Sequence, residues 1–266
     1  MVAGIAPIVL LSVAFRNSIL ETRIFVFAAS LIGLSGVFLY YSNVTGGPFG
    51  AVLLISLQAF GWQGLILMAR RAIVKEGRWY GLFVYPVLWA GLDVLISTLS
   101  PHSSWGSLAY SQMDVLPVIQ IASFTGAPGV VFLPALFASL VSVELFKGRS
   151  IPRAGWAYGL ACGILLGSLG FGWWRISQPR ENQTVRVGMV AIDDFIDAPV
   201  PPETAANVWA SYNKQITQLA AGGARLVLLP EKIAQFDDQS AAAKLHELAE
   251  IAKANKVDLF LGMGQG

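Results

Sequence analysis

The sequence holds a single cysteine, Cys162, so no disulfide can form within it. Its two histidines, His102 and His246, fall in stretches of different character. With no second cysteine to join them, a zinc site is not expected, and neither metal nor cofactor enters the reading. Charge is also scarce. Asp, Glu, Lys and Arg make up 13% of the 266 residues, against about 25% in ordinary soluble domains. A net charge of +2 is too small to point to nucleic acid. No cleavable leader is evident, because residues 1–15 are apolar without a basic start or a small-residue cleavage site.

The shortage of charge is local. Acidic residues are almost absent before Arg175, whereas the composition after Glu181 is that of a soluble protein. Two solvents are implied: a transmembrane helical domain over 1–176, a linker over 177–183 and an α/β domain over 184–266. What fills the first part is long apolar runs, with a mean hydropathy of +0.61 over the whole chain. A helix needs about 20 apolar residues to cross a bilayer. About six candidates are present, at 1–15, 24–41, 49–69, 79–99, 127–146 and 155–176. The first is short for a span. Tyr40, Tyr41, Trp79, Tyr80, Trp173 and Trp174 sit near their ends, as an interfacial belt predicts.

The connections sort by charge. Arg16 and Arg23 fill the first, Arg70, Arg71, Lys75 and Arg78 the third, and Lys147, Arg149 and Arg153 the fifth. The second (42–48) and fourth (100–126) carry no Lys or Arg, so nine cations stand against none. Cytoplasmic loops hold the positive charge. The odd-numbered connections are therefore expected inside, and the N-terminus, the even-numbered loops and the α/β domain outside.

The fourth loop is too polar to cross and too aromatic for a plain linker. It reads Trp105-Gly106-Ser107-Leu108-Ala109-Tyr110-Ser111-Gln112, then turns apolar over 115–124. It is either the wall of a lipid- or substrate-facing cavity or an outer loop with interfacial anchors. Asp93, within the fourth apolar run, is either functional or close enough to the outer end to be hydrated. Gly155, Gly159, Gly163 and Gly167 recur every four residues, which predicts close helix packing with Cys162 as a small packing residue.

The last third reads β-α-β-α-β. Strands are predicted at 184–192, 225–229 and 257–261, and helices at 205–221 and from a Ser240 cap. Val208, Tyr212, Ile216 and Leu219 mark the inner stripe of the first helix, and Leu245, Leu248 and Ile251 that of the second. Glu231 is expected just past the end of the second strand, after Pro230. It is a general base at the edge where α/β sheets gather their sites, or a surface acid. Asp193, Asp194 and Asp197 are read as solvated loop acids. Gly262-Met263-Gly264-Gln265-Gly266 carries the glycines of a dinucleotide loop without its helix.

Taken together, the spans, the loop from Trp105 to Gln112, the stretch Ile119-Gln120-Ile121-Ala122-Ser123 with Gly126, and Leu228-Leu229-Pro230-Glu231 resemble the apolipoprotein N-acyltransferase family. The resemblance runs from about Ile24 onward. It implies a membrane bundle followed by part of a nitrilase-like carbon–nitrogen hydrolase domain, an α-β-β-α sandwich, on the periplasmic side of a bacterial inner membrane. It implies a phospholipid acyl donor and a lipoprotein acceptor, whose N-terminal cysteine amine receives the acyl chain. Residue by residue, Glu231 matches the general base of the family's Glu-Lys-Cys triad, and Trp105, Tyr110 and Gln112 match the loop beside the acyl-chain entrance.

Departures are present. No cysteine follows Glu231, so a thioester route is not expected of these 266 residues alone. The resemblance implies a chain cut short after its first triad residue, and leaves open whether a first span is missing as well. Lys232 stands where the family usually has Thr or Ser, Asp193-Asp194 where a Gln-containing pair is common, and Asp93 near a usual Glu. Two other readings therefore stay open: a non-catalytic membrane protein with an outer binding module, and a membrane-anchored amidase relative.

Overall fold

The computed structural model describes every residue except 1, 100–102, 105, 147–153, 179–183, 192–201, 237 and 266. Side chains are described for the same set, apart from 2–4, 202, 204–205, 231–236, 238–241 and 263–265. The chain forms two compact units, Met1–Pro179 and Arg180–Gly266.

The first unit is helical. It runs α1 (Val2–Arg16), α2 (Ile19–Leu34), α3 (Phe38–Val44), α4 (Pro48–Arg70), α5 (Gly81–Leu99), α6 (Leu116–Ile119), α7 (Ala122–Thr125), α8 (Ala127–Phe146) and α9 (Ala154–Ser177). Ser18 and Glu21 form a reciprocal capping box at the start of α2. One tight turn at Ser35–Val37 separates α2 from α3. There the Ser35 hydroxyl donates to Ile32 O at 2.7 Å, the back-bonding that disturbs a helix ladder. Pro48 opens α4 at a position where its missing N–H costs nothing.

Five helical segments are long and apolar enough to cross a membrane: Ile19–Val44, Pro48–Lys75, Gly81–Leu99, Ala127–Phe146 and Gly155–Ser177. The expected count of about six thus becomes five and a shorter helix. α1 has 15 residues, about 22 Å at 1.5 Å per residue, against a hydrocarbon core of about 30 Å. It is nonetheless deeply packed, with Leu11, Ala14 and Phe15 buried beside α8.

α8 is the centre of the bundle. Val131, Leu136 and Ala138 are fully enclosed. Its two buried hydroxyls tie neighbours to it: Ser139 Oγ donates to Leu82 O of α5 at 2.7 Å, and Ser142 Oγ reaches Ile8 O of α1 at 3.2 Å. The outward faces are the reverse of a soluble protein's. Leu53, Leu57, Phe60, Leu166 and Trp173 all stand exposed, which is stable only where the solvent is lipid.

The glycine stripe of α9 does not pack as expected. A Cβ built on Gly155, Gly159, Gly163 or Gly167 meets nothing within 4 Å, and Cys162 is exposed. The buried line of α9 is Ala157, Ala161 and Ser168 instead. The one glycine of α9 that close packing requires is Gly172, where a Cβ would run into the Pro117 carbonyl of α6.

The second unit is a parallel three-stranded sheet in the order β1 (Val187–Met189), β2 (Leu226–Phe236), β3 (Asp258–Gln265), joined by α10 (Pro202–Ala221) and α11 (Asp238–Asn255). Both helices pack on one face and touch each other, as successive right-handed crossovers in one direction require. Val208, Trp209, Tyr212, Ile216 and Leu248 enclose that core with Val190, Val227, Leu229 and Val257. Gly188 lets α10 close in, since a Cβ there would meet the Leu219 side chain at 2.8 Å.

Several sequence expectations shift. α11 begins at Asp238, so Ser240 lies inside it and is not its cap. Leu245 is exposed and leaves the inner stripe to Leu248 and Ile251. Residues 262–265 continue β3 and are not a loop, because they pair with β2. The opposite face of the sheet carries no helix among the described residues, and Val187, Met189 and Phe260 stand exposed on it.

Candidate functional site

In the first unit the fourth loop is built on short-range hydrogen bonds. Left-handed backbone at Ser103 (φ 53°) and Gly106 (φ 81°) folds the chain back. The Ser107 hydroxyl accepts from Ala109 N at 3.2 Å and starts a tight helical turn at Leu108–Gln112. Ser111 Oγ donates to Leu108 O at 2.6 Å and accepts from Gln112 Nε2 at 2.9 Å. Tyr110 and Ser104 share a hydroxyl–hydroxyl hydrogen bond of 2.6 Å.

The turn thereby sends its two predicted residues opposite ways. Gln112 is 7% exposed, and Tyr110 is 52% exposed. Trp105, the third predicted loop residue, lies outside the described residues. Beyond the turn, Met113, Leu116 and Phe124 stand exposed. Phe124 meets Phe171 of α9 at 4.9 Å with the rings inclined at 50°, and Phe171 lies 5.9 Å from Trp174. The loop therefore presents an aromatic and apolar surface at one end of the bundle, the composition that suits a membrane interface. Asp93 of α5 is buried, at 8% exposure.

In the second unit Glu231 lies on the central strand. The expectation placed it just past the strand's end, because proline usually stops a ladder. β2 instead runs on through Pro230 and pairs Glu231 with Gly262 of β3. Pro230 has no N–H to give, and the β2–β3 register shifts between Leu228 and Glu231, which absorbs the missing donor. Among the described residues β1 pairs as far as Leu228, and Glu231 stands past the carboxyl end of that ladder. In open parallel sheets that end is where ligands bind. The Glu231 side chain lies outside the described residues, as do Asp193, Asp194 and Asp197. Among the described residues no group of three or more His, Cys, Asp or Glu gathers as a metal site.

Two features escaped sequence reasoning. The first is a set of arginine caps. Arg16 Nη2 donates to Leu145 O in the last turn of α8 at 2.7 Å, and Arg70 donates from Nε to Ala14 O and from Nη2 to Asn17 O, both at 2.8 Å. These cations satisfy orphan carbonyls at negative helix ends. The second is a cavity of about 240 Å³ in the bundle, lined by residues of α1, α2, α4 and α5 and by Leu108. Its lining is scattered from Ala6 to Leu108, so no local pattern announces it.

The family model of the apolipoprotein N-acyltransferase N-terminal domain matches residues 1–140. A curated apolipoprotein N-acyltransferase from Geobacter metallireducens (strain ATCC 53774 / DSM 7210 / GS-15) is 30% identical over 195 residues, covering 68% of this chain and 37% of that protein. Another, from Gloeobacter violaceus (strain ATCC 29082 / PCC 7421), is 31% identical over 150 residues, covering 56% of this chain and 28% of that protein. The chain thus spans about a third of the length of the curated relatives it matches.

Proposed function

The chain belongs to the apolipoprotein N-acyltransferase family, and on that premise we propose that it supplies the membrane bundle and the general base of an enzyme that moves an acyl chain from a phospholipid to the N-terminal amine of a lipoprotein. A cysteine thiolate attacks the phospholipid ester carbonyl, a thioester forms, and the lysophospholipid alkoxide leaves with a proton. The lipoprotein amine then attacks the thioester, the amide forms, and the thiol is restored. Glu231 accepts the thiol proton in the first step and the amine proton in the second. Cys162 is not that thiol, because it sits on membrane-crossing α9 and not in the domain that carries Glu231, where the resemblance places the triad. The resemblance assigns the lysine and cysteine of the triad to strands beyond these residues, and residues 1–266 alone are expected to form no N-acyl product.

The observation that carries this reading is Glu231 on the central strand of an all-parallel sheet, in one chain with five helices long and apolar enough to cross a bilayer. The bare sheet face bearing Val187, Met189 and Phe260 supports it. An apolar face must be covered by another layer, and a second sheet there would make the nitrilase-like α-β-β-α sandwich. The alternation of cationic loops favours an inner-membrane protein with the Glu231 unit outside, where lipoproteins mature.

The test uses the protein read in frame past codon 266, in phosphatidylethanolamine vesicles with a diacylated lipopeptide. Mass spectrometry should show the peptide gaining one acyl chain, and Glu231→Gln should slow the gain by about 10²–10⁴, the usual worth of a general base. An unchanged rate in Glu231→Gln, or hydrolysis of small amides with no acylated peptide, would overturn the proposal and favour the amidase reading.

A further inference from the structure

Residues 70–80, between two spans, hold four cations, Arg70, Arg71, Lys75 and Arg78, against one acid, Glu76. The backbone there is unusual. α4 widens into a π turn at Arg71–Lys75, a form that is rare and often found at functional places. Glu76 N donates to Arg71 O at 3.0 Å and Arg78 N to Ala72 O at 3.1 Å. Gly77 takes left-handed backbone, φ 60°, to close the turn. Ala72 and Ile73 are buried under it. A Cβ built on Gly81 would come within 2.5 Å of the Ile73 side chain, so α5 starts hard against the turn. Arg71, Lys75 and Arg78 are left on the outside, all exposed.

The structure sorts these cations. Arg70, like Arg16, is committed to helix-end carbonyls. Arg71 pairs with Glu76 through Nε at 2.9 Å, and its side chain is 70% exposed. Lys75 and Arg78 form no ion pair and donate no side-chain hydrogen bond among the described residues. The Glu76 carboxyl, held low first by Tyr80 and then by Arg71, also feels the charge of Arg78, so one acid is shared among several cations. In open water such a surplus needs no partner. The neighbours here are interfacial instead. Trp79, Tyr80 and Trp156 are exposed, with Trp79 4.3 Å from Trp156 and 5.9 Å from Tyr80. Exposed Trp and Tyr beside the ends of spans sit at the level of lipid headgroups. The spans end at Lys75 and resume at Gly81, which holds the cations between them at that level.

We propose that the α4–α5 turn is a docking surface for anionic phospholipid headgroups of the phosphatidylglycerol kind, drawn by Lys75, Arg78 and Arg71, with Trp79 and Trp156 beside them at the level of the glycerol. Clusters of four or more Lys and Arg against the end of a membrane helix attract anionic lipid, each cation contributing separately. The bound lipid is an anchor and is not consumed: no bond in it breaks. The fourth loop follows the other end of α5, 19 residues away, about 28 Å at 1.5 Å per residue. The turn therefore engages the bilayer surface opposite to the one that loop meets.

The test titrates the full chain in detergent micelles with phosphatidylglycerol, and with phosphatidylethanolamine and inorganic phosphate in parallel, reading bound lipid by native mass spectrometry. Phosphatidylglycerol should bind more tightly than phosphatidylethanolamine, and added salt should weaken it. Lys75→Gln combined with Arg78→Gln should weaken phosphatidylglycerol by about 25-fold, about fivefold for each charge removed, and leave phosphatidylethanolamine unchanged. Lys75→Arg with Arg78→Lys keeps both charges and should bind as the unaltered protein does. Glu76→Gln removes the one acid of the turn and should tighten binding. It also carries the test alone if near-UV circular dichroism shows the double glutamine variant to be unfolded. Equal binding of phosphatidylglycerol by a folded double glutamine variant would overturn the proposal, and so would weaker binding by Glu76→Gln. Displacement of the lipid by an equal concentration of inorganic phosphate would overturn it too, by showing an anion site that needs no bilayer. None of these outcomes depends on Glu231 or on acyl transfer.

Discussion

Glu76 illustrates how much a single side chain settles at an exposed end of the bundle. It lies between two spans, and its carboxylate accepts from the Tyr80 hydroxyl at 2.8 Å and from Arg71 Nε at 2.9 Å. The Tyr80 hydrogen bond first, and the Arg71 contact second, hold its carboxyl below the usual glutamate range, while the same Tyr80 bond raises the phenol. The signs set the window. A lowered carboxyl contributes above the ordinary glutamate range and is lost as pH falls through its folded value. A raised phenol contributes below its ordinary value of 10.0 and is lost as pH rises through its folded value. Glu76→Gln should move Tyr80 back toward its ordinary titration, read as the difference in phenolate absorbance against pH between the two proteins; an identical curve would contradict the contact. At this scale the sequence is readable in part. It marks Arg16 and Arg70 as topology signals, yet their capping of α8 and α1 depends on helices far apart in sequence. It picks out Tyr110 and Gln112 together, but only the folded turn separates an exposed phenol from a buried amide.

Among the elements, hydropathy locates the membrane helices well, because burying about 20 apolar residues in lipid overrides local preference. Where faces have to be assigned, composition misleads. The four-residue glycine repeat of α9 points to open space, while Ala157, Ala161 and Ser168 do the packing. Periodicity identifies a stripe without saying what lies opposite. Gly172 is the position to test. It sits against the Pro117 backbone, so Gly172→Ala should force α6 and α9 apart at a cost of about 1–3 kcal/mol, typical of overpacking. Gly163→Ala, facing open space, should cost far less. Thermal unfolding in detergent would compare them, and equal losses would refute the α6–α9 contact. In the second unit, Pro230 makes the strand look finished. The shift in register that carries β2 past it is made with β3, which lies beyond a whole helix in sequence. The sequence reading therefore ends the strand at Leu229, whereas the ladder runs on through Glu231 and Gly262 to the pair of Phe236 with Gln265.

For the whole molecule, the division between two solvents is written in composition, since charge is nearly confined to the cationic connections before Arg175 and becomes ordinary after Glu181. The chain forms two compact units, Met1–Pro179 and Arg180–Gly266. The cavity cannot be read the same way, because four helices and a loop residue must come together before it exists. The central proposal is an oriented membrane protein whose Glu231 unit lies on the outer side. Single cysteines in a Cys162→Ser background test it most directly: Asn43→Cys near the end of the Ile19–Val44 segment, Lys75→Cys at the end of the Pro48–Lys75 segment and Gln218→Cys on α10, each at an exposed position. A membrane-impermeant maleimide applied to intact spheroplasts should label Asn43→Cys and Gln218→Cys at once, and Lys75→Cys only after permeabilisation. Labelling of Lys75→Cys in intact spheroplasts, with Gln218→Cys protected, would contradict the account.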